Sequence, residues 1–294
     1  MIALFEPKFN TLYEALDSYL MVYCKPIVKR KTLYGYERAA VIIKEYLPNL
    51  PVTDYNEAQL QLFLNVLSVE KNYSKSSIDK ILIILRAAFR CAYRNLHITY
   101  DTPASSLRLP AAKQKKILGY TLEEEAIIRK ACVYDIYGDF ILFDLNTGLR
   151  RSELERLQKT DIDWEQGLIH ITQSKTESGI RAIPMQDESK KILLNQFARY
   201  PHSPYVFVSR TGGTMTECVI RRLSERMRRE TGISDFNLHR CRHTFATRLL
   251  ENGLKNYAAL AKLMGHSDVA FTMRQYVHPD KAELRKAISL LHGT

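Results

Sequence analysis

The chain has 294 residues, 46% of them hydrophobic, which favours two cored domains over one. Lysine and arginine outnumber aspartate and glutamate by 43 to 32; the resulting +11 points to a polyanionic partner, nucleic acid first, and serves equally well to keep a protein in solution. Zinc, disulfide and membrane classes are excluded: the five cysteines (Cys24, Cys91, Cys132, Cys218, Cys241) form no C-x-x-C pair, no apolar run is long enough for a bilayer, and MIALFEPKFN is no signal peptide, all of which suits a cytoplasmic protein.

Helical periodicity dominates residues 1–100. "TLYEALDSYLMVYC" puts Leu12, Leu16, Tyr19 and Leu20 on one face, and "TLYGYERAAVIIKEYL" does the same with Leu33, Tyr36, Ala40 and Ile43. "EAQLQLFLNVLSV" and "SSIDKILIILRAAFRCAYRN" follow, with Asn56 and Ser74 placed as N-caps. The pattern predicts an all-α four-helix domain with no strand. Lys29, Arg30, Lys31, Arg86, Arg90 and Arg94 interleave with aromatics, which suits helices lying on phosphates and a solvated face equally. "DTPASSLRLPAAKQKK", residues 101–116, carries Pro103, Pro110 and a basic cluster, and reads as an extended linker at the domain boundary.

Residues 117–294 are mixed, and the expected class is mainly α with a small antiparallel β-sheet. "TLEEEAIIRKAC" is helical, with Thr121 as cap and Glu124 as the capping-box acid. "YGDFILFDLNTGLRRSELERLQ" reads as two helices broken at Thr147-Gly148. "GLIHITQ", "IRAIP" and "YVFVS" read as the strands, and helices resume from Met215.

Four stretches offer chemistry. In "NTGLRRSELERL", Gly148 permits a sharp turn, and Arg150 starts the next helix with several N–H groups for one phosphate; Glu153, three residues on, is near enough to orient it. In "HITQSKTESGIRAIPM", Lys175 sits at the mouth of a hairpin turn, either solvated or reaching a phosphate or a leaving oxygen. In "NLHRCRHTFATRLLENG", His239 and Arg242 share a helix face, while His243, about 100° round from Arg242, is expected to point elsewhere, as a core residue or one that supports the site from behind. In "GHSDVAFTMRQYVHPD", His266 follows Gly265, and Tyr276 lies about two and a half turns further on.

Taken in order, "TGLRRSE", "SKTESGIRAIP", "HRCRHTFATRLLENG" and "LMGHSDVAFTMRQYVH" resemble the tyrosine recombinase (phage integrase) family. The resemblance covers the second segment, and the helical first segment is similar to the family's core-binding domain, a SAM-like bundle. It implies a core-binding domain over 1–100, a linker over 101–116 and a catalytic domain over 117–294. It also implies that Arg150, Lys175, His239, Arg242 and His266 surround a phosphate attacked by Tyr276. Arg240 and Cys241 depart from the acidic and aliphatic residues common between the family's His and Arg; Arg240 is either a DNA contact or solvated, and Cys241 a small buried hydrophobe. The chain starts almost at once with its first helix, so a separate arm-binding domain is not expected.

The implied activity is site-specific DNA recombination. A phenol near pH 10 is ionised in only about one side chain in a thousand at neutral pH, a cost of roughly 4 kcal/mol that nearby cations and proton acceptors offset. Arg150 and Arg242, with His239 and His266, would stabilise the non-bridging oxygens without a metal, and Lys175 would protonate the leaving 5′ oxygen. The product is a 3′-phosphotyrosyl enzyme, which needs no cofactor, in keeping with the missing P-loop motif. The implied partners are double-stranded recognition sites, a homotetramer in the synaptic complex (monomer or dimer when free) and a directionality factor, with no membrane. A tail helix carrying Leu284, Ala287, Ile288 and Leu291 would either fold onto its own core or, as the resemblance favours, dock on a neighbouring subunit. Two other readings stand beside this one: a non-catalytic DNA-binding accessory of the same fold, and a type IB-like topoisomerase.

Overall fold

The computed structural model describes residues 7–111, 118–174 and 177–276, with Arg285 and Ile288. Lys175, much of the tail stripe and residues 112–116 of the expected linker lie outside the described residues. The chain divides into two compact units, Met1–Lys116 and Ile117–Thr294. Among the described residues, no helix is long and apolar enough to cross a membrane.

The first unit has four α-helices: α1 (Leu12–Ser18, continued by a π-helical turn over Tyr19–Cys24), α2 (Arg30–Tyr46), α3 (Glu57–Val69) and α4 (Lys75–Asn95). Thr11 and Glu14 close a capping box on α1, and Asn56 and Ser74 cap α3 and α4 as expected. Leu12, Leu16, Ile43, Leu60, Leu64, Leu85 and Phe89 are fully buried between the helices. Two expectations need correction. Residues 101–109 are not a free extended segment: Ala104 and Leu107 are buried in this core, and Gln61 clasps both the N–H (2.8 Å) and the carbonyl (3.0 Å) of Arg108. Arg86 is not a freely solvated side chain either. It donates to the carbonyls of Ala104 (3.1 Å) and Leu107, and so braces that segment.

The second unit holds α5 (Leu122–Cys132), α6 (Gly138–Thr147), one-turn α7 (Arg151–Leu154), β1 (Ile162–Asp163), β2 (Leu168–Ile171), β3 (Arg181–Pro184), α8 (Asp187–Arg199), α9 (Glu217–Thr231), α10 (Leu238–Glu251), α11 (Tyr257–Met264) and α12 (Val269–Tyr276). The strands form an antiparallel sheet in the order β1-β2-β3, with Ile169 opposite both Ile162 and Ile183, and Ile171 opposite Arg181. "YVFVS" is not one of them. Val206, Phe207 and Val208 are buried in succession, without the alternation of a half-covered strand. Their backbone partners lie outside the sheet: Val206 N–H donates to Leu157 (2.9 Å), and Ser209 N–H to Gly213 in the next turn (2.7 Å).

The break at Thr147-Gly148 is real and has a steric cause. Gly148 has φ of 59°, and a Cβ there would lie 2.3 Å from Cδ1 of Phe245 on α10. Only glycine closes α6 in the left-handed conformation at that distance from an aromatic ring. The turn buries Leu149 and delivers Arg150 to the start of α7. Gly148→Ala is expected to destabilise the second unit by about 2 kcal/mol or more. Fluorescence of Trp164, the single tryptophan, during urea unfolding measures this; an unchanged midpoint contradicts it.

Candidate active site

Glu153 sits at the centre of the site, with its side chain 3% exposed. Its Oε1 accepts from Arg150 Nη1 (2.8 Å) and Arg181 Nη1 (3.1 Å), and its Oε2 accepts from the Arg150 backbone N–H (2.9 Å) and Arg181 Nη2 (3.0 Å). One carboxylate thus holds two guanidiniums and caps α7. Burial alone would raise this carboxyl, but the hydrogen bonds and charge of Arg181 and the bonds from Arg150 hold it below the ordinary carboxylate range. Arg181 also donates to the carbonyls of Leu263 (2.7 Å) and Gly179 (2.9 Å). It therefore ties α7, the approach to β3 and the end of α11 together. Arg150, a third exposed, donates its remaining bond to the Gly265 carbonyl. A Cβ on Gly265 would lie 2.9 Å from Arg181 and 3.0 Å from Arg150, and its φ is 62°, so the glycine lets the chain pass over both cations.

Arg242 enters from α10, 4% exposed. It donates to the carbonyls of Gly148 (2.6 Å) and Met264, and to His266 Nε2 at 3.1 Å. A guanidinium only donates, so His266 Nε2 carries the lone pair and Nδ1 the proton. That proton goes to Thr272 Oγ1, 2.7 Å away. Burial, then the charges of Arg242, Arg150 and Arg181, push the His266 pKa down to about 4, so the ring is neutral. Burial and the same neighbouring cations lower Arg242 to about 10, which leaves it charged at neutral pH.

His239 is exposed on the first turn of α10 and lines, with Arg242, Leu149, Arg151, Arg221 and Arg228, an open groove of about 550 Å³. His243 is buried, as expected of a residue in the core or supporting the site, and it touches His239. One residue from Arg242 but four from His239, it falls on the face that His239 shares, and the two Nε2 atoms lie 3.1 Å apart. Its ring also packs on that of Tyr276, centroids 5.3 Å apart. Tyr276, at the end of α12, is half-buried against the small cluster of Phe245, Ala246, Leu260 and Met264. Burial pushes its phenol up to about 12, against a downward pull from Arg242. The expected cationic lowering is present but outweighed.

Five of the six residues singled out from sequence therefore converge: Arg150, His239, Arg242, His266 and Tyr276. Lys175 lies outside the described residues. Arg181 was missed, although its signal was available: in "IRAIP" it alternates with Ile183 on the inward side, and a buried arginine needs an acid. Arg240 is not a freely solvated side chain, being 11% exposed. It lies 4.2 Å over the Tyr120 ring and pairs with Glu124 (3.0 Å) and Asp235. Cys241 is fully buried, as a small hydrophobe.

His243, like His266, is lowered to about 4, by burial and then by His239, Arg242 and His266. Below pH ~6.5 an unfolded chain takes up protons that these two folded rings refuse until about pH 4. Stability of the second unit is therefore expected to fall as pH drops from about 6.5 towards 4, and less steeply in His266→Gln. Unfolding midpoints across that window, read by Trp164 fluorescence, check this; superimposable wild-type and variant profiles contradict it.

The phage integrase family model matches residues 108–283. Tyrosine recombinase XerD of Staphylococcus epidermidis is 23% identical over 300 residues, covering 96% of this chain and 99% of that protein. Tyrosine recombinase XerC of Bacillus pumilus is 26% identical over 284 residues, covering 89% and 90%. Among solved structures, the Tn1549 transposon integrase in complex with transposon right end DNA superposes with a TM-score of 0.80 at 23% identity, over 96% of this chain and 100% of that one. A lambda integrase tetramer bound to a Holliday junction gives 0.75 at 22%, over 92% and 79%. These structural likenesses are likenesses of fold. The family match spans more than half of the sequence and includes every stretch that builds the site, and the chain belongs to the phage integrase family.

Proposed function

We propose that this protein is a site-specific DNA recombinase that cuts and rejoins duplex DNA through a 3′-phosphotyrosyl intermediate. One observation carries the assignment of roles: Arg150 and Arg242 are both held by buried partners, Arg242 lines an arginine-rich groove with His239, and Tyr276 packs on the next histidine of the same helix. Each guanidinium has five N–H donors, and the bonds described do not exhaust them. They would take the two non-bridging oxygens, where charge develops on attack. His239 adds a hydrogen bond there, and His266 orients Arg242. Tyr276 is the nucleophile: its oxygen bonds to phosphorus as the bond from phosphorus to the 5′ oxygen breaks, and its phenol proton, held more tightly by burial, would pass to water entering the site as that bond forms and not before. Lys175 is assigned from sequence as the acid for the leaving 5′ oxygen.

The first unit is proposed as the core-binding domain, with Lys29, Arg30, Lys31 and Arg90 exposed for phosphates. The chain would act as a tetramer in synapsis, in line with the lambda integrase tetramer solved on a Holliday junction, and a directionality factor would set the direction of exchange. Two products of one exchange differ little in energy, so no nucleotide is consumed.

On a nicked duplex carrying the recognition site, wild-type protein is expected to form an adduct that survives denaturant, and Tyr276→Phe none. Tight binding without an adduct in wild type would assign a non-catalytic accessory, and sequence-independent relaxation of supercoils a topoisomerase. Arg150→Ala is expected to lower single-turnover cleavage by about a hundredfold or more while DNA affinity changes by about threefold or less. A parallel loss of binding and cleavage would make Arg150 an anchor and remove it from the transition state.

A further inference from the structure

His239 and His243 face each other through Nε2 atoms 3.1 Å apart, one turn apart on α10. A hydrogen bond between two neutral imidazoles needs one proton in the gap and one lone pair opposite it. Two assignments are open. In the first, His239 donates and His243 carries its own proton on Nδ1. In the second, His243 donates and its Nδ1 is a bare lone pair. The surroundings of His243 separate them. The residue is 5% exposed, and its Nδ1 is buried with no hydrogen-bond partner among the described residues. The first assignment buries an N–H with nothing to accept it; the second buries only an unused acceptor. Orphaned buried N–H groups are the rarer and costlier of the two. A doubly protonated His243 is disfavoured by its burial and by His239, Arg242 and His266 around it, while Tyr276 covers its face.

We infer that His243 is a positioning residue for the proposed reaction: its Nε2–H donates to His239 Nε2 and thereby fixes the proton of His239 on Nδ1. The consequence lies at the phosphate. His239 is exposed to the groove, and with Nε2 engaged, Nδ1 is the ring nitrogen left for a ligand there. In this tautomer it meets a phosphate oxygen as a hydrogen-bond donor. In the other it would present a lone pair to an anion, and the ring would repel what Arg242 attracts. The same logic already sets His266, where Arg242 forces the lone pair onto Nε2 and the proton onto Nδ1. Both histidines flanking Arg242 are then neutral Nδ1–H tautomers, each enforced by an obligate or buried donor.

The tautomers are read in wild-type protein by long-range ¹H–¹⁵N correlation spectra of ¹⁵N-histidine-labelled chain. His239 is expected with a protonated Nδ1 and bare Nε2, and His243 with the reverse. A proton on His239 Nε2 overturns the inference whatever any variant does. The kinetic arm rests on the recombinase reading and uses two variants. His243→Phe keeps a ring against Tyr276 but removes the donor, and is expected to lower single-turnover cleavage of a nicked duplex about tenfold to a hundredfold with DNA binding unchanged. His243→Gln restores an N–H at the same reach and is expected to stay within about threefold of wild type. Wild-type rates in His243→Phe, or an equal loss in both variants, would leave packing as the only role of His243 and overturn the proposal. Absence of any adduct in wild type would sink the recombinase reading instead, and the spectra would still decide the tautomer.

Discussion

The site depends on a single buried carboxylate. Glu153 takes four hydrogen bonds, from two guanidiniums and one backbone N–H, in a place closed to water. A lone charge there would be expensive, and so would either guanidinium without it; removing one partner of such a pair typically costs about 3–5 kcal/mol. That mutual dependence fixes position. Arg181 cannot satisfy Glu153 unless β3 lies beside α7 and the end of α11 comes within reach of its Nε. Gly148, turned against Phe245, brings the local Arg150–Glu153 pair alongside α10. The cations that would meet a phosphate are therefore held by groups that never touch it.

From this anchor a direction of hydrogen bonding runs outward. Guanidiniums only donate, so the carbonyls of Gly148, Met264 and Gly265 and the Nε2 of His266 must accept. His266 in turn must donate to Thr272, which places α12 and, at its end, Tyr276. The polarity of the network thus passes from a carboxylate on α7 to the helix that carries the phenol. Burial first, and then the same positive field that suits a phosphate, keep His243 and His266 neutral in a site so rich in cations.

What could be read in the sequence was what spacing alone controls. The Thr121–Glu124 capping box, the caps at Asn56 and Ser74, the glycine break before Arg150 and the shared face of His239 and Arg242 are all local, and periodicity or cap chemistry suffices for them. Arg150 with Glu153 was legible for the same reason. Arg181 was not, because its acid lies 28 residues away and only the sheet brings them together. His243 was expected off the Arg242 face, in the core or supporting the site; it is buried there, and its contact with His239, one full turn back, follows from the same spacing. "YVFVS" has strand composition, but its backbone found the distant Leu157 carbonyl and the turn at Gly213 in place of the sheet. Residues 101–109 have linker composition, but Ala104 and Leu107 found a core. In each case a long-range contact overrode a local preference.

The most direct test is a structure of the Tyr276→Phe protein on a nicked duplex carrying its recognition site. The scissile phosphate should sit between Arg150, Arg242 and His239, within hydrogen-bond reach of all three, with Glu153 still bridging Arg150 and Arg181 and the residue 276 ring facing the phosphorus. A phosphate bound elsewhere along the groove, or an Arg150 that reaches it only by leaving Glu153, would contradict the idea that this buried carboxylate builds the site.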